Sequence, residues 1–148
     1  MIKVSACVIV KNEAANIERW LACVRQLATE IVVVDTGSDD ATVEMAQAGG
    51  AEVVHFDWCD DFSAAKNFAL DQVHGEWVIF LDADEYFSPD TIDLVLPAIA
   101  RFHANRRVIG LVTRWINFDE DDHSRFINSG CQMRILRHQR TVRYRGKV

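Results

Sequence analysis

Basic clusters, paired cysteines and long apolar runs are all missing from this sequence, and each absence removes a class of function. The 148-residue chain carries a formal charge of −6, and no lysine or arginine cluster interrupts its acids before the last few residues. The electrostatic footprint of nucleic-acid binding is therefore missing, and no nucleic-acid partner is expected. Cys7, Cys23, Cys59 and Cys131 form no C-x-x-C pair, which argues against a zinc knuckle and reads as four reduced thiols. No stretch approaches the roughly 18 uninterrupted apolar residues of a membrane span, and the amino terminus lacks the layout of a signal peptide. A cytoplasmic chain without a transmembrane segment is expected. G-x-S-x-G, P-loop and G-x-G-x-x-G patterns are also absent, which removes the usual hydrolase, triphosphatase and dinucleotide fingerprints. The five histidines show no ligand spacing.

What is present folds. Hydrophobic residues at 49% and charged residues at 26% match globular usage, and a single domain of this length buries roughly two thirds of its unfolded surface. Apolar runs at 2–10, 31–34, 52–56 and 77–81 read as strands. Between them lie segments with helical spacing, such as Ile17, Trp20, Leu21, Val24 and Leu27. Strands alternating with helices predict an α/β fold with a mostly parallel sheet covered on both faces. Beyond Pro89 the pattern predicts a helix to about residue 104, a long strand over 108–118, an acidic loop at 119–122, and short strands over 132–136 and 142–144.

In an open α/β sheet, ligands bind outside the carboxyl ends of the strands. Lys11, Asn12 and Glu13 follow the first apolar run, Asp35 ends the second, Asp57 follows the third, and Asp82 and Asp84 follow the fourth. In an extended backbone Asp82 and Asp84 point to one side, where two carboxylates repel. Either one is protonated or a hard cation such as Mg2+ or Mn2+ lies between them. A bridging cation would also let so acidic an edge accept a nucleoside diphosphate. The plainer alternative is a solvated acidic loop. Asp35 heads D-T-G-S-D-D, which suits a turn with Ser38 or Asp39 capping the next helix, with Asp35 itself facing a nucleobase or ribose. Lys66 and Asn67 lie on a helix near further acids; Lys66 either forms an exposed salt bridge or contacts a diphosphate.

Four blocks, V-I-V-K-N-E-A-A-N-I from Val8, V-V-D-T-G-S-D-D-A-T from Val33, D-D-F-S-A-A-K-N-F-A-L from Asp60 and F-L-D-A-D-E from Phe80, resemble glycosyltransferase family 2. Within it they are most similar to the bacterial branch of lipopolysaccharide core β-glucosyltransferases. The resemblance implies a GT-A fold, a nucleotide-sugar donor that is often UDP-linked, Mn2+ or Mg2+, and inverting transfer to a glycan, lipid-linked or protein acceptor. A lipid-linked acceptor would place the protein at the inner face of the membrane. By the same resemblance Glu13 and Asp35 contact the nucleoside, Lys66 lies near the donor, and Asp82 and Asp84 form the D-x-D that meets ribose and metal. Lys66 stands where arginine is frequent, keeping the charge but losing bidentate geometry. The branch usually continues past R-Y-R-G-K-V into His-Glu, so a fragment cut at its carboxyl end is expected. It would comprise a donor-binding part at 1–105 and the start of an acceptor-side part at 106–148. Asp119, Glu120, Asp121 and Asp122 are the available general bases, unless the base lies beyond Val148. The competing functions are a sugar-phosphate nucleotidyltransferase, for which Lys11-Asn12-Glu13-Ala14 lacks a Gly-rich triphosphate loop, and a non-catalytic nucleotide-sugar-binding module.

Overall fold

A computed structural model describes residues 1–119 and 121–146. The elements run β1 (Val4–Val10), α1 (Ile17–Val24), β2 (Glu30–Asp35), α2 (Thr42–Ala48), β3 (Glu52–His55), α3 (Phe62–Gln72), β4 (Trp77–Phe80), α4 (Pro89–His103), β5 (Gly110–Phe118) and β6 (Phe126–Arg137). They form one six-stranded sheet in the order β3-β2-β1-β4-β6-β5. β1 to β4 are mutually parallel, whereas β6 runs antiparallel to β4 and to β5. The expected α/β class therefore holds, with an antiparallel ribbon added at one side.

Strand periodicity divides the core. Val4, Ala6, Val8 and Val10 face the same layer as Ile17, Trp20, Leu21 and Val24 of α1 and Val95 and Ile99 of α4. Cys7, Val32, Val34, Val78 and Phe80 point the other way, onto Ala69 and Leu70 of α3. Both faces being covered explains why these strands read as continuous apolar runs. Cys7 and Cys23 are buried and, like the exposed Cys59 and Cys131, free of disulfides. No helix among the described residues is long and apolar enough to cross a membrane.

The carboxyl-terminal region departs from its reading in sequence. β6 begins at Phe126 rather than near residue 132. Asn128, Ser129 and Gly130 look like a turn, yet they pair with Asn117, Ile116 and Trp115. The Trp115 ring lies so close over Gly130 that an added Cβ would meet it at 2.7 Å, so glycine here makes room for a cross-strand aromatic. Residues 142–144 are not a strand. They return across α3, where the Asn67 amide donates to the Tyr144 carbonyl at 3.0 Å and accepts from its N–H at 2.9 Å.

Arg137, 2% exposed, fastens the ribbon to α4 with no carboxylate partner among the described residues. Its Nη2 donates to the carbonyls of Phe102, His103 and Asn105 at 3.0–3.2 Å, and its Nε to that of Val108 at 2.8 Å. The guanidinium also stacks 4.5 Å from the Trp77 ring centroid. A helix carboxyl end carries partial negative charge and unpaired carbonyls, which one cation satisfies together. Arg137→Met fills similar volume but strands those carbonyls, and we predict a loss of about 2–4 kcal/mol in urea denaturation. A loss below about 0.5 kcal/mol would show that water replaces the guanidinium at no cost.

Candidate functional site

The strand order reverses between β1 and β4, since β2 and β3 lie to one side of β1 and β4 lies to the other. A crevice opens outside the carboxyl ends at such a point. A cleft of about 400 Å³ occupies it, lined by Ile9, Glu13, Phe62, Lys66 and Asp82. It adjoins a hollow of about 210 Å³ that shares Ile9, Glu13 and Phe62 and adds Val10, Lys11, Thr36 and Trp58. The structure thus brings Lys11, Glu13, Lys66 and Asp82 together at one sheet edge.

Two loops are sewn together on the nucleoside side expected from sequence. Asn12, at a positive φ of 56°, donates its N–H to Ser38 Oγ at 2.9 Å and accepts from the Asp39 N–H through Oδ1 at 2.9 Å. Asparagine tolerates this left-handed backbone better than most residues. Its side chain is thereby committed to loop structure. The Glu13 N–H donates to Thr42 Oγ1 at 2.8 Å, and its carboxylate accepts from Asn16 Nδ2 at 2.9 Å. Asp40, rather than Ser38 or Asp39, receives the first N–H of α2, from Thr42 at 2.9 Å.

Asp35 is 6% exposed and receives the N–H of Gly37 and of Ser38, each at 3.1 Å. Gly37 has a φ of 107°, which the turn requires and side-chain-bearing residues rarely adopt. His55 Nδ1, placed opposite Asp35 by strand register, stands 3.6 Å away. Burial pushes the Asp35 pKa up, but the Ser38 hydroxyl, the Ser38 and Gly37 N–H groups and His55 outweigh it and hold the carboxyl below its ordinary value.

Asp82 and Asp84 do not lie on one side of an extended strand. β4 ends at Phe80, and the Glu85 N–H closes a turn on the Asp82 carbonyl at 3.0 Å. The turn separates Asp84, which is exposed, and turns Glu85 back toward Asp82, whose N–H it accepts at 3.0 Å. Asp82 Oδ1 stands 3.5 Å from Lys66 Nζ, and Oδ2 accepts from Arg134 Nη2 at 2.9 Å. The same Nη2 contacts Glu85 Oε1. Lys66 also lies 5.4 Å and 5.2 Å from the ring centroids of Phe80 and Tyr144. It therefore pairs with the edge carboxylate in a partly buried place rather than forming an exposed bridge.

The Asn67 amide is bonded to the Tyr144 backbone through both its nitrogen and its oxygen, which leaves one N–H and one lone pair for another partner. Two carboxylates of the β5–β6 turn, those of Asp119 and Asp122, are engaged locally. The Asp119 carboxylate accepts the Asp121 and Asp122 N–H groups at 3.0 and 3.2 Å, and Asp122 accepts the Ser124 N–H at 3.0 Å. Ser124, first through its hydroxyl, holds the Asp122 carboxyl below its ordinary value. Glu120 lies outside the described residues. From Arg134 to the start of β6 at Phe126 the ribbon runs away from Asp82, a contour of about 27 Å. Asp119, Asp121 and Asp122 lie at its far end, away from the cleft.

Asp82 and Asp84 are oxygen donors of the type that hard divalent cations take. Among the described residues no three His, Cys, Asp or Glu side chains converge into a metal cage. Mg2+ and similar ions need only one or two protein carboxylates when phosphates and waters complete the shell, and Asp82 and Asp84 offer two. Sequence reading missed Arg134, Trp58 and Phe62. Arg134 was discoverable as a charge sharing the inward face with Leu136 in a strand of period two; the exposed aromatic pair, with centroids 4.8 Å apart, carries no comparable signal.

The chain matches the profile of glycosyl transferase family 2 over residues 5–146. It is 48% identical over 85 residues to a TPR repeat-containing protein of Synechococcus elongatus, covering 57% of this chain and 21% of that one. It is 42% identical over 91 residues to an uncharacterized glycosyltransferase of Rickettsia bellii, covering 62% of this chain and 31% of the relative. S. aureus TarS in complex with UDP-GlcNAc superposes with a TM-score of 0.57 at 28% identity, covering 69% of this chain and 32% of that one. An α/β sheet reversing at an acid-lined crevice is the architecture of a GT-A glycosyltransferase, and this chain belongs to glycosyltransferase family 2. It spans less than a third of the length of either curated relative.

Because its folded pKa is depressed, Asp35 stabilises the protein above the unfolded value of about 3.9, and that stability is lost as pH falls through the folded value. Glu30, also held below its ordinary value where desolvation is outweighed by bonds from His74 and Ser5, contributes in the same direction. We predict that Asp35→Asn flattens the acid limb of a stability–pH curve without abolishing it. An unchanged slope below about pH 4 would contradict a depressed Asp35 pKa.

Proposed function

We propose that this chain binds a UDP-linked sugar across the crevice and belongs to an inverting, metal-dependent glycosyltransferase. The observation that carries this reading is the gathering of Glu13, Lys66 and Asp82 around one cleft at the switch point of the sheet. TarS, which shares this fold, supports a UDP-sugar as the class of donor. Asp35 and Glu13 would receive the nucleoside, with the bonded Asn12–Ser38 loop pair fixing their backbone. Asp82 and Asp84 would hold Mn2+ or Mg2+, which when bound would neutralise diphosphate charge. Lys66 would pair with the diphosphate as it leaves. In the transfer the acceptor oxygen forms a bond to the anomeric carbon, the carbon–oxygen bond to the diphosphate breaks, and the hydroxyl proton passes to a carboxylate base.

The remote position of Asp119, Asp121 and Asp122 on the β5–β6 turn favours a second reading within the same family. Here residues 1–105 bind the donor and residues 106–148 begin the acceptor side, while the base comes from elsewhere in the protein. A base must reach the proton it abstracts, and Asp119, Asp121 and Asp122 stand at the ribbon's far end. Product formation from labelled donor distinguishes a complete enzyme from a binding unit.

Calorimetry with UDP in Mn2+ and again in EDTA tests the reading. Binding is expected in Mn2+ and at least about tenfold weaker in EDTA, and Asp84→Asn should remove most of that difference while leaving the melting temperature within a few degrees. Equal affinity in both buffers would exclude the metal-bridged donor. A large fall in melting temperature would instead give Asp84 a structural role.

A further inference from the structure

The two outer strands of the sheet are finished differently. β3, at one side, is only four residues long and carries Glu52 and His55 at its ends. β5, at the other, runs nine residues, Gly110–Phe118, and among the described strands it pairs with β6 alone. An outer strand presents a row of unpaired N–H and C=O groups to any chain that lies beside it, and proteins blunt such strands by shortening them, bulging them or placing charge or proline on them. β5 has no proline and a single charged residue, Arg114. The two register shifts of the ribbon do not bend it either. From Leu111 to Val112 the partner steps from Ile135 to Met133, and from Asn117 to Phe118 it steps from Asn128 to Phe126. Both extra residues, Arg134 and Ile127, therefore belong to the inner strand β6, and it is the strand with the extra residue that bends. β5 stays regular along its length, with Val112, Ile116 and Phe118 exposed.

The charges that flank β5 have opposite sign at its two ends. Arg106 and Arg107 precede it, Asp121 and Asp122 follow it, and all four are exposed. None of the four forms an ion pair among the described residues. A second copy of β5 lying parallel would set arginine against arginine and aspartate against aspartate. Lying antiparallel across a two-fold axis, it brings the basic start of each strand to the acidic end of the other, and the symmetry makes that contact twice. An unrelated segment would have to carry the complementary pattern independently, whereas a second copy carries it already.

We propose that β5 pairs antiparallel with β5 of a second copy of this chain, joining the two sheets through their outer strands. Centring the pair on Thr113 sets threonine against threonine and Arg114 against Val112 of the second copy, whereas centring it on Arg114 would set two guanidinium groups directly opposite. The main-chain bonds supply the attraction, and the flanking charges select the direction. β6 lies between β5 and the crevice at β1 and β4, so the pairing leaves the cleft open and does not depend on what the cleft binds.

Sedimentation equilibrium of the 148-residue chain tests it, with exchanged charges as the control. The contact of one strand is small, so the native chain should pass from monomer to dimer as its concentration approaches about 100 µM. Arg106→Glu with Arg107→Glu should weaken that dimer by about tenfold, and so should Asp121→Lys with Asp122→Lys, since each pair of changes sets like charges together at both ends. An equimolar mixture of the two variants should recover association to within about threefold of the native chain, because every altered end then meets its complement. Val112→Lys, at an exposed place in the middle of the strand, supplies an independent variant that should weaken the dimer by about tenfold while the melting temperature stays within a few degrees. A native chain that remains monomeric at every concentration would overturn the proposal, as would growth beyond the dimer, which a two-fold contact closes off. Unchanged association in the charge variants or in Val112→Lys, or a mixture no tighter than either variant alone, would overturn it too.

Discussion

The arrangement of this molecule depends on how it tolerates carboxylates gathered at the carboxyl edge of a parallel sheet. Parallel strands end together, so whatever polar residues follow them are brought close whether or not they attract. Asp35 and Asp82 both occupy that edge, and two solutions appear. Asp35 is stabilised by N–H groups of its own turn. Asp82 is stabilised by side chains from distant parts of the chain, Lys66 on α3 and Arg134 on β6. The antiparallel ribbon thus contributes to the site through a single buried arginine, and the clamp between Asn67 and Tyr144 holds the following segment against the helix that carries Lys66.

The opposite edge of the sheet handles its polar groups differently. Ser5, fully buried in β1, accepts the Gly75 N–H at 2.8 Å and donates to Glu30, which also receives the His74 N–H at 2.8 Å. Gly75 packs there so closely that a Cβ would meet the Ser5 nitrogen at 2.7 Å. This network joins β1, β2 and the loop before β4. The two edges differ: one is satisfied by a local network, while the other opens on the cleft lined by Glu13, Lys66 and Asp82.

The first four strands and their helices were legible because each strand is buried on both faces and each helix shows one apolar stripe, so local pattern and tertiary environment agree. The placement of Asp35, Lys66 and Asp82 near the carboxyl edge of the sheet was legible for the same reason, since they stand immediately after or between such runs. The relation between Asp82 and Asp84 was not. Spacing alone suggested one extended strand, but the chain turns at Asp82 and brings Glu85, not Asp84, back to it. The ribbon was half hidden because Asn128, Ser129 and Gly130 resemble a turn and became a strand only through pairing with Trp115 and its neighbours. Asn67 illustrates a further limit. An amide beside a lysine on a cleft helix reads as a ligand contact, and only the three-dimensional return of the chain shows that it also holds the Tyr144 backbone.

The central claim is that donor nucleotide occupies the crevice between β1 and β4. An amide-resolved NMR titration of the isotopically labelled chain with UDP and Mg2+ tests it most directly, because Mg2+ leaves nearby signals observable. The account predicts the largest shift changes at Lys11 to Glu13, Thr36 to Ser38, Asp82 to Glu85 and the first two turns of α3, with little change around Ser5, Glu30 and Gly75. Changes confined to the β5–β6 ribbon or to that opposite edge would contradict it.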